Sequence, residues 1–386
     1  MRCDMWWPGS ARKRKNMAES ISDIFADKFV GRTLRLNRFA EGQRQVVFGL
    51  LQNIETELSG HMKDFDPSAV RGVKFRQNRL TKLMESVQES IAAGYKDIAR
   101  QQAGALTDLA HTEAATVAGI VNGVMDVDIL TVTSSDATIR ALLNDTMVEG
   151  APVQEWWGRQ AQVTRDRFRD EMRKGLFQGD GLNDLLKRVR GTRANQFKDG
   201  IMGITRKNAE RLVRTSINSI SNAARMEMFT ANSDIINGVQ ALVTLDNRTS
   251  LLCISRSGAS WDMKTGAPLP GSSTQIQFPG SPPWHWHCRS ILIPVLKSFE
   301  EMLGAKGKRF DQKLEKLGPG TQASMDGQVA GDMTFDGWLK KQSATRVNEV
   351  LGPGRAELWR SGKLALADLV NQNGRPFTLA QLREAS

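Results

Sequence analysis

The first half of the chain carries the apolar periodicity of long helices. From Ser20 to about Val124, apolar residues recur every three or four positions and would line one side of a helix. The later part of this stripe consists of Leu80, Met84, Val87, Ile91, Tyr95, Ile98, Leu106, Leu109, Val117, Ile120 and Val124. The earlier part consists of Ile24, Phe29, Phe39, Val46, Leu50, Ile54 and Leu58. An antiparallel helical hairpin or an oligomeric bundle would bury both faces, and packing within one chain is the favoured interpretation.

Two glycines fall inside the later stripe. Glycine weakens a helix interior by about 1 kcal/mol relative to alanine. We therefore expect this helix to be interrupted or bent near Gly94 and Gly104.

Shorter helices follow. A helix is predicted from Ala151 to Gly175, with Pro152 in a first-turn position that tolerates the missing N–H. Glycines in segment 175–181 end it, and a short helix is predicted over 182–189. The clearest helical pattern places six residues on one side: Ala209, Val213, Ile217, Ile220, Ala224 and Met228. Polar residues fall largely on the other sides: Arg206, Glu210, Arg214, Asn218 and Arg225.

The periodicity changes after Gly238. Residues 239–245 are short, β-branched and bounded by turn residues, which predicts a strand. A stretch rich in Gly, Pro and Ser runs from 258 to 283, and residues 291–295 predict a second strand. Pro294 indicates that this strand lies at an edge or an end of a sheet. A small sheet closed by a loop is implied.

Capping signals mark the C-terminal part. Ser298 with Glu301, and Thr378 with Gln381, have the spacing of capping boxes at helix starts. Residues 318–331 have the composition of a flexible linker. The whole pattern predicts an α+β, predominantly α-helical fold: a long helical N-terminal half, then a smaller mixed module with a short β-sheet and C-terminal helices.

Five segments are predicted along the chain. They are a basic N-terminal arm (1–19), a helical interaction region (20–150), a core module with a Cys/His loop (151–317), a linker (318–333) and a C-terminal helical segment (334–386).

The charge balance is basic. The chain has 53 Lys and Arg against 42 Asp and Glu, which gives a formal net charge of +11. Such an excess favours contact with a polyanion, either DNA or an acidic protein surface. The densest run is Arg12, Lys13, Arg14 and Lys15, a candidate DNA-binding or partner-binding site. The remaining excess is spread along the chain, as on an ordinary solubilising surface.

Cysteine usage favours a reducing compartment. The three cysteines are Cys3, Cys253 and Cys288, an odd number that argues against a disulfide framework. We found neither the apolar core of a signal peptide nor a stretch of membrane-spanning length, so export and membrane insertion are not expected. Met17, followed by Ala-Glu-Ser, is a second candidate start.

Four residues have the ligand types of a tetrahedral zinc site: Cys253, His285, His287 and Cys288. Bound zinc could offset the cost of ordering a loop with little apolar content. The spacing, however, is not a standard zinc motif. In an extended segment His285 and His287 would point one way and Cys288 the other. A site without metal, with both cysteines as small buried hydrophobes and the histidines as packed loop residues, is the favoured alternative.

Asp246, Arg248 and Thr249 follow the first predicted strand. They could supply a catalytic carboxylate and a cation beside the Cys/His residues. The favoured interpretation is a turn in which Asp246 caps backbone N–H groups and Arg248 pairs with it.

Common enzyme signatures are absent from the sequence. No phosphate-binding P-loop occurs, which excludes a DNA-packaging ATPase, and neither His-Glu-x-x-His nor Gly-x-Ser-x-Gly is present. We assign no catalytic residue and no cofactor other than zinc. The tryptophans at 156, 157, 338 and 359 lie on predicted helices, where core or subunit contact is expected.

Three blocks occur in order in the second half. The first is the helix from Ala209 to Arg225, preceded by the glycine break at 175–181. The second runs from Asp246-Asn-Arg-Thr through Cys253 to Pro-Pro-Trp-His-Trp-His-Cys-Arg289 and Ile293-Pro294. The third joins Phe-Asp-Gly-Trp338, Leu-Gly-Pro-Gly-Arg355 and Leu-Trp-Arg-Ser-Gly-Lys363 to Thr-Leu-Ala-Gln-Leu382. Over residues 175–382 this order and spacing resemble the phage Mu protein F-like family of minor head proteins.

The resemblance implies a few-copy protein of the phage procapsid, located in the head interior near the portal and needed for head assembly. Its implied partners are the portal protein, the major capsid or scaffolding protein, and double-stranded DNA, with which it can leave the head. The helical region 20–150 would dock to the portal or capsid. An oligomer, or binding to an oligomeric ring, is expected, in the virion and in the host cytoplasm during assembly.

The Cys/His segment departs from the family pattern. Members often carry a His-Pro-x-Cys-Arg-Cys segment, whereas Ser290 stands at the second cysteine position here. Trp286 replaces the common proline, and His287 is an additional imidazole.

The leading hypothesis is therefore an assembly protein without catalytic activity. One alternative is a metal-dependent nuclease or transferase, delivered with the genome and built around Asp246, Cys253, His285 and Cys288. Another is a DNA-binding module without catalysis.

Overall fold

The computed structural model describes residues 21–65, 73–125, 128–132, 135–303, 321–330, 333–371 and 373–385. The predicted basic run from Arg12 to Lys15 lies outside the described residues. The fold is α+β and mostly helical, which confirms the predicted class.

Two long helices form the predicted antiparallel hairpin. Helix α1 spans Ile21–Asp64 and helix α2 spans Val73–Met125. Gln102 donates to the side chain of Gln43 at 2.9 Å, and His61 lies 3.0 Å from Ser90, so residue numbers fall on one helix as they rise on the other. The apolar faces meet between them, with Val47, Leu51, Ile54, Val87 and Ile91 buried.

Helix α2 continues without a break through both glycines, contrary to the expected interruption. A Cβ atom on Gly94 would lie 2.4 Å from Ile54 Cγ1, whereas a Cβ on Gly104 would meet nothing within 4 Å. Gly94 is therefore the residue that lets the two helices approach closely.

The middle of the chain adds helices to this hairpin. Helix α3 (Asp136–Asp145) and a short antiparallel pair, β1 (Met147–Val148) and β2 (Ala151–Pro152), precede three further helices: α4 (Val153–Gln178), α5 (Leu182–Arg190) and α6 (Ile201–Ala231). Pro152 is the N-cap residue of α4 and not a first-turn residue. The α4 helix continues past Gly175 and ends where Gly179 adopts φ 79°. The predicted apolar face of α6 is buried throughout.

A three-stranded antiparallel sheet follows α6. It consists of β3 (Ile236–Leu242), β4 (Ser260–Asp262) and β5 (Ile291–Leu296), in the order β4-β3-β5. Pro294 lies on edge strand β5, as predicted, opposite Val239. Strand β4 falls within the stretch predicted to be a loop, and a short helix, α7 (Leu251–Ile254), precedes it.

The C-terminal part is built from short elements. They are α8 (Phe299–Leu303), the hairpin of β6 (Thr321–Ser324) and β7 (Gly327–Ala330), α9 (Phe335–Leu339), α10 (Ala344–Leu351), α11 (Pro353–Arg360), a 3-10 turn (Leu366–Leu369) and α12 (Leu379–Glu384). Both capping boxes are present. The described part of the predicted linker contains the β6–β7 hairpin, and Met325 N donates to Leu245 O at 3.0 Å, so this part is ordered against the module.

Buried apolar residues form two cores. The helical core combines α1 to α5 with the first part of α6. The mixed core combines the sheet and the C-terminal helices with Phe29 of α1, the last part of α2, and Met228 and Phe229 of α6. Helix α6 contributes to both cores, so the division between them does not fall at residue 150.

A buried ion cluster links α1, α2 and α6. Arg225 and Glu113 are both fully buried, and Arg225 Nε donates to Glu113 Oε1 at 2.7 Å. Arg32 Nε donates to the other carboxylate oxygen at 2.9 Å. Burial acts to raise the pKa of Glu113, but the charge of Arg225 and the hydrogen bond from Arg32 outweigh it, and the pKa is lowered. Within the described ranges, no helix combines the length and apolar character that crossing a membrane requires.

Candidate metal centre

Three of the four predicted ligands meet in the structure. The sulfur atoms of Cys253 and Cys288 and a ring nitrogen of His285 all lie within 4.8 Å of one another. Cys253 lies on α7, and the other two precede β5 in the connection that we call the Cys/His loop (residues 243–290). His287, the fourth predicted ligand, is not a member of this group.

A tight turn explains which residues meet. The Cys288 N–H donates to the carbonyl of His285 at 3.1 Å, and His287 adopts a left-handed backbone with φ 62°. The expectation of an extended segment was therefore wrong. The turn brings His285 and Cys288 together and leaves the His287 side chain exposed.

The separation of the two sulfur atoms suits a bound ion. Cys253 Sγ and Cys288 Sγ lie 3.7 Å apart. Two sulfurs that are each ~2.3 Å from a tetrahedral zinc ion lie about 3.8 Å apart. Cys253 Sγ is 3.1 Å from His285 Nε2, about 0.5 Å closer than tetrahedral geometry requires, so a small rotation of the imidazole would complete the fit.

The orientation of His285 is fixed from its other side. His285 Nδ1 lies 2.7 Å from the carbonyl oxygen of Trp286 and donates to it, which directs Nε2 toward the cysteines. Ser250 Oγ is 2.8 Å from the same Nε2 and also accepts from Cys253 N at 3.2 Å as the N-cap of α7. The sequence reasoning missed Ser250; its spacing of three residues from Cys253 was the available signal.

The group favours one thiolate before any ion binds. The hydrogen bond from the Cys253 thiol, together with one from His285, holds the pKa of Cys288 well below its ordinary value. The same hydrogen bond and burial raise the pKa of Cys253. Burial acts to lower the pKa of His285, but the hydrogen bond and charge of Cys288 outweigh it and the pKa is raised. The thiolate is the form of cysteine that binds a metal ion, and His285 would release a proton to bind beside it.

Two guanidinium groups accompany the cysteines. Arg256 lies over the ring of Trp284, 4.5 Å from its centroid, and burial lowers its pKa. Arg289 follows Cys288, and its hydrogen bonds to Asp246 raise its pKa. Both cations favour the thiolate form of the neighbouring cysteines.

Polar residues of α6 hold the Cys/His loop in place. Asn218 donates to the carbonyl of Cys288 at 2.6 Å, and Thr215 Oγ1 accepts from His287 N at 3.1 Å. Asn222 accepts from Leu292 N at 2.9 Å, and Arg225 donates to Leu292 O at 3.3 Å. These four residues are spaced three, four and three apart and form a second stripe on α6, half-buried at Asn218 and buried at the other three, that the sequence reasoning did not recognise.

Asp246 lies in the predicted turn, and the closest cation to its carboxylate is Arg289. Its carboxylate accepts from Arg248 N and from Thr249 Oγ1, both at 3.0 Å. Its ion-pair partner is Arg289, at 2.6 and 2.7 Å, whereas the Arg248 guanidinium is 3.8 Å away and mostly exposed. Burial acts to raise the pKa of Asp246, but the hydrogen bonds and charge of Arg289 outweigh it and the pKa is lowered. The predicted Arg248 pairing is present as a long, exposed ion pair, and the sequence reasoning missed the shorter pairing with Arg289, which reaches the carboxylate with both Nη atoms.

The geometry makes Cys253, His285 and Cys288 a group that can bind a metal ion such as Zn²⁺. His287 lies apart, and partial desolvation of its largely exposed ring, together with the charge of Arg211, lowers its pKa. No protein-family model, curated protein or solved structure matches this chain.

Proposed function

We propose that this protein is a minor head protein of a tailed bacteriophage, with a structural and assembly role near the portal of the procapsid. The observation that carries the proposal is that the three blocks that resemble such proteins contact one another in the fold. Cys288 of the second block and Trp338 of the third belong to one buried cluster, which also includes Met228, three residues after the first block on the same helix. Blocks far apart in the chain thus form one unit, as a shared module would.

Polar contacts join the blocks as well. Asn218 of the first block binds the backbone of Cys288 in the second. Ser257, between the two halves of the second block, accepts from Phe335 N of the third at 2.9 Å. Because both bonds involve backbone groups, they fix the relative position of the blocks.

We propose that Cys253, His285 and Cys288 hold a structural Zn²⁺ ion. Between Asp262 and His287, only Thr274 and Pro282 are fully buried, and Met263, Phe278 and Trp284 are partly buried against the core, so a bound ion would add to limited apolar packing. A zinc ion would tie α7 to the segment that follows the stretch. Two thiolates and an imidazole suit the softness of zinc, and a fourth ligand would come from solvent or Ser250.

The long hairpin suits attachment to a large assembly. At 1.5 Å per residue, α2 alone is about 80 Å long. Its mixed and polar outer surface presents an extended face to the portal, capsid or scaffolding protein, and the basic chain as a whole favours packaged DNA.

Particle composition tests this proposal. Proheads and virions of the phage that encodes the chain would be purified and analysed by quantitative mass spectrometry, with the portal protein as the internal standard. We expect the chain at low copy number and at a constant ratio to portal. Its absence from both particles would contradict the proposal.

A metal-dependent enzyme is the second candidate. Three protein ligands leave one coordination position for water, which is the arrangement of catalytic zinc sites. Against it, both cysteines are nearly inaccessible, at 2% and 3% exposure. Incubation of the zinc-loaded protein with duplex DNA distinguishes a nuclease from a structural zinc protein. Sustained multiple turnover that is lost in His285→Ala would establish an enzyme, whereas no turnover would favour the structural role.

A further inference from the structure

An open cleft lies beside the candidate metal centre, and Cys288, one of the three candidate ligands, forms part of its lining. It has a volume of about 470 Å³ and is bounded by α1, α6 and the Cys/His loop. Leu36, Ala40 and Ile217 supply apolar surface in it. This volume is in the range of small-ligand sites.

Three arginines from separate parts of the chain line this cleft. They are Arg214 of α6, Arg248 of the turn after β3, and Arg289 at the end of the Cys/His loop. The charged lining includes one carboxylate, that of Glu210, which accepts from Arg214 Nε at 3.1 Å. Carboxylates therefore pair with Arg214 and Arg289, and Arg248 adds a guanidinium whose own ion pair is long and exposed.

Carboxylates outside the lining orient two of these arginines. Asp246 holds both Nη atoms of Arg289, and Glu41 accepts from Arg214 Nη2 at 2.9 Å. In the part of the chain that the structure describes, Arg214 Nη1 and Arg289 Nε have no hydrogen-bond partner. A guanidinium whose N–H groups on one edge bind a carboxylate still has free N–H groups on its other edge. Because the side chain is already fixed, these N–H groups lose little entropy when they bind an anion.

Arg248 differs from the other two. Its side chain is 80% exposed, and its nearest carboxylate oxygen is 3.8 Å away. It is therefore free to close over a ligand that the two fixed arginines have positioned.

We propose that this cleft binds a phosphate group, carried either by a nucleic acid backbone or by a small phosphorylated ligand. Several guanidinium groups converging from different elements match the tetrahedral oxygens and double charge of phosphate. The apolar residues of α1 and α6 would contact the less polar part of the ligand. This site does not depend on the proposed place of the protein in a phage head.

Titration of the full, zinc-loaded chain with inorganic phosphate tests the site. We expect saturable binding in Arg100→Gln, within about twofold of the unaltered chain, since Arg100 is an exposed arginine on α2, away from the cleft. In Arg248→Gln the Kd should rise about tenfold, because one charge-assisted hydrogen bond is lost. Because Arg248 is exposed, this variant keeps the fold. Absence of saturable binding, or an equal effect of both substitutions, would overturn the proposal.

Two further titrations identify the source of the phosphate. If a nucleic acid supplies it, Arg248→Gln weakens binding to a 20-base-pair duplex and lowers the salt slope by about one, and Arg100→Gln does neither. If a small ligand supplies it, Arg248→Gln weakens binding of a 5′-mononucleotide and leaves duplex binding unchanged. Both results support the phosphate site, and an unchanged affinity for both ligands contradicts it.

Discussion

The α1–α2 hairpin and the Cys/His loop are ordered by different forces. The hairpin buries continuous apolar faces, with Leu51, Ile54, Val87 and Ile91 nearly inaccessible. Between Asp262 and His287 the loop has few fully buried residues, and Phe278 and Trp284 pack against the mixed core only partly buried. The loop is also held by hydrogen bonds from α6, the Asp246–Arg289 ion pair and the Cys–His–Cys group. Many small contributions support the first region, whereas a few strong ones support the second.

This difference determines how each region should respond to change. Loss of one apolar contact leaves most of the hairpin core in place. Loss of one member of the loop's polar set leaves its partners buried and unpaired, which costs more than the missing bond contributed.

Removal of the metal should have the largest effect. Structural zinc contributes on the order of 10 kcal/mol in small domains, so Cys253→Ser with Cys288→Ser should abolish zinc binding and lower the thermal midpoint by about 10 °C or more. Cys3→Ser, the change at the remaining cysteine, should alter neither quantity. Zinc analysis and calorimetry provide the measurement. Equal midpoints for the double variant and Cys3→Ser would show that the loop does not rely on metal.

Glu113→Gln should be the next largest change. It leaves Arg225 buried with its charge uncompensated, at a cost of about 3–5 kcal/mol in the free energy of unfolding. Glu89→Gln, an exposed change on the same helix, should cost less than about 0.5 kcal/mol. Urea unfolding at pH 7 measures the free energy of unfolding of both variants. Similar losses in the two variants would show that the buried ion cluster does not stabilise the fold.

The same cluster has a pH signature. The pKa of Glu113 is lowered in the folded state, so its stabilising effect is complete above the unfolded value of about 4.3 and is lost as pH falls through the lower folded value. The difference in unfolding free energy between the unaltered chain and Glu113→Gln should therefore stay constant from pH 8 to pH 5 and shrink below about pH 4. A difference that grows in acid would indicate a raised pKa.

Asp246→Asn should have a moderate effect, localised to the loop. It removes a bidentate ion pair with Arg289 and should cost about 2 kcal/mol. Arg248→Gln removes only a distant, exposed partner and should cost less than about 0.5 kcal/mol. Equal costs in chemical unfolding would mean that Arg248, as the sequence first indicated, shares the pairing.

The smallest effects distinguish two glycines of one helix. Gly94→Ala places a Cβ 2.4 Å from Ile54 Cγ1 and should destabilise by about 1–3 kcal/mol through overpacking. Gly104→Ala meets no neighbour and should stabilise by up to about 1 kcal/mol through better helix propensity. Gly94→Ala should cost less in an Ile54→Ala background, because that change removes both atoms that the new Cβ would meet. Stabilisation by both alanines would show that the helices do not pack closely at residue 94.

Sequence periodicity predicted the structure correctly where the pattern of burial follows from the local sequence. It predicted the hairpin, the apolar face of α6 and the edge position of Pro294 because each depends on local pattern. It did not predict that Arg225 is buried, since its partner Glu113 lies on another helix. Nor did it predict the short ion pair of Asp246, because Arg289, which forms it, is 43 residues away in the chain.

The candidate site was predicted in part for the same reason. Residue types alone were enough to select Cys253, His285 and Cys288. The turn that excludes His287 depends on a left-handed backbone and a bond to Thr215 of α6, neither of which is visible in the spacing. Ser250 was missed because its role as the N-cap of α7 requires knowing where that short helix begins.

Hydrogen exchange of the full chain, with and without zinc, tests most directly whether metal orders the Cys/His loop. We expect zinc to slow amide exchange in residues 250–290 by about tenfold or more and to leave the α1–α2 hairpin unchanged. Equal exchange in the loop with and without zinc, in protein shown to retain the native fold, would contradict the structural role of the Cys253–His285–Cys288 group.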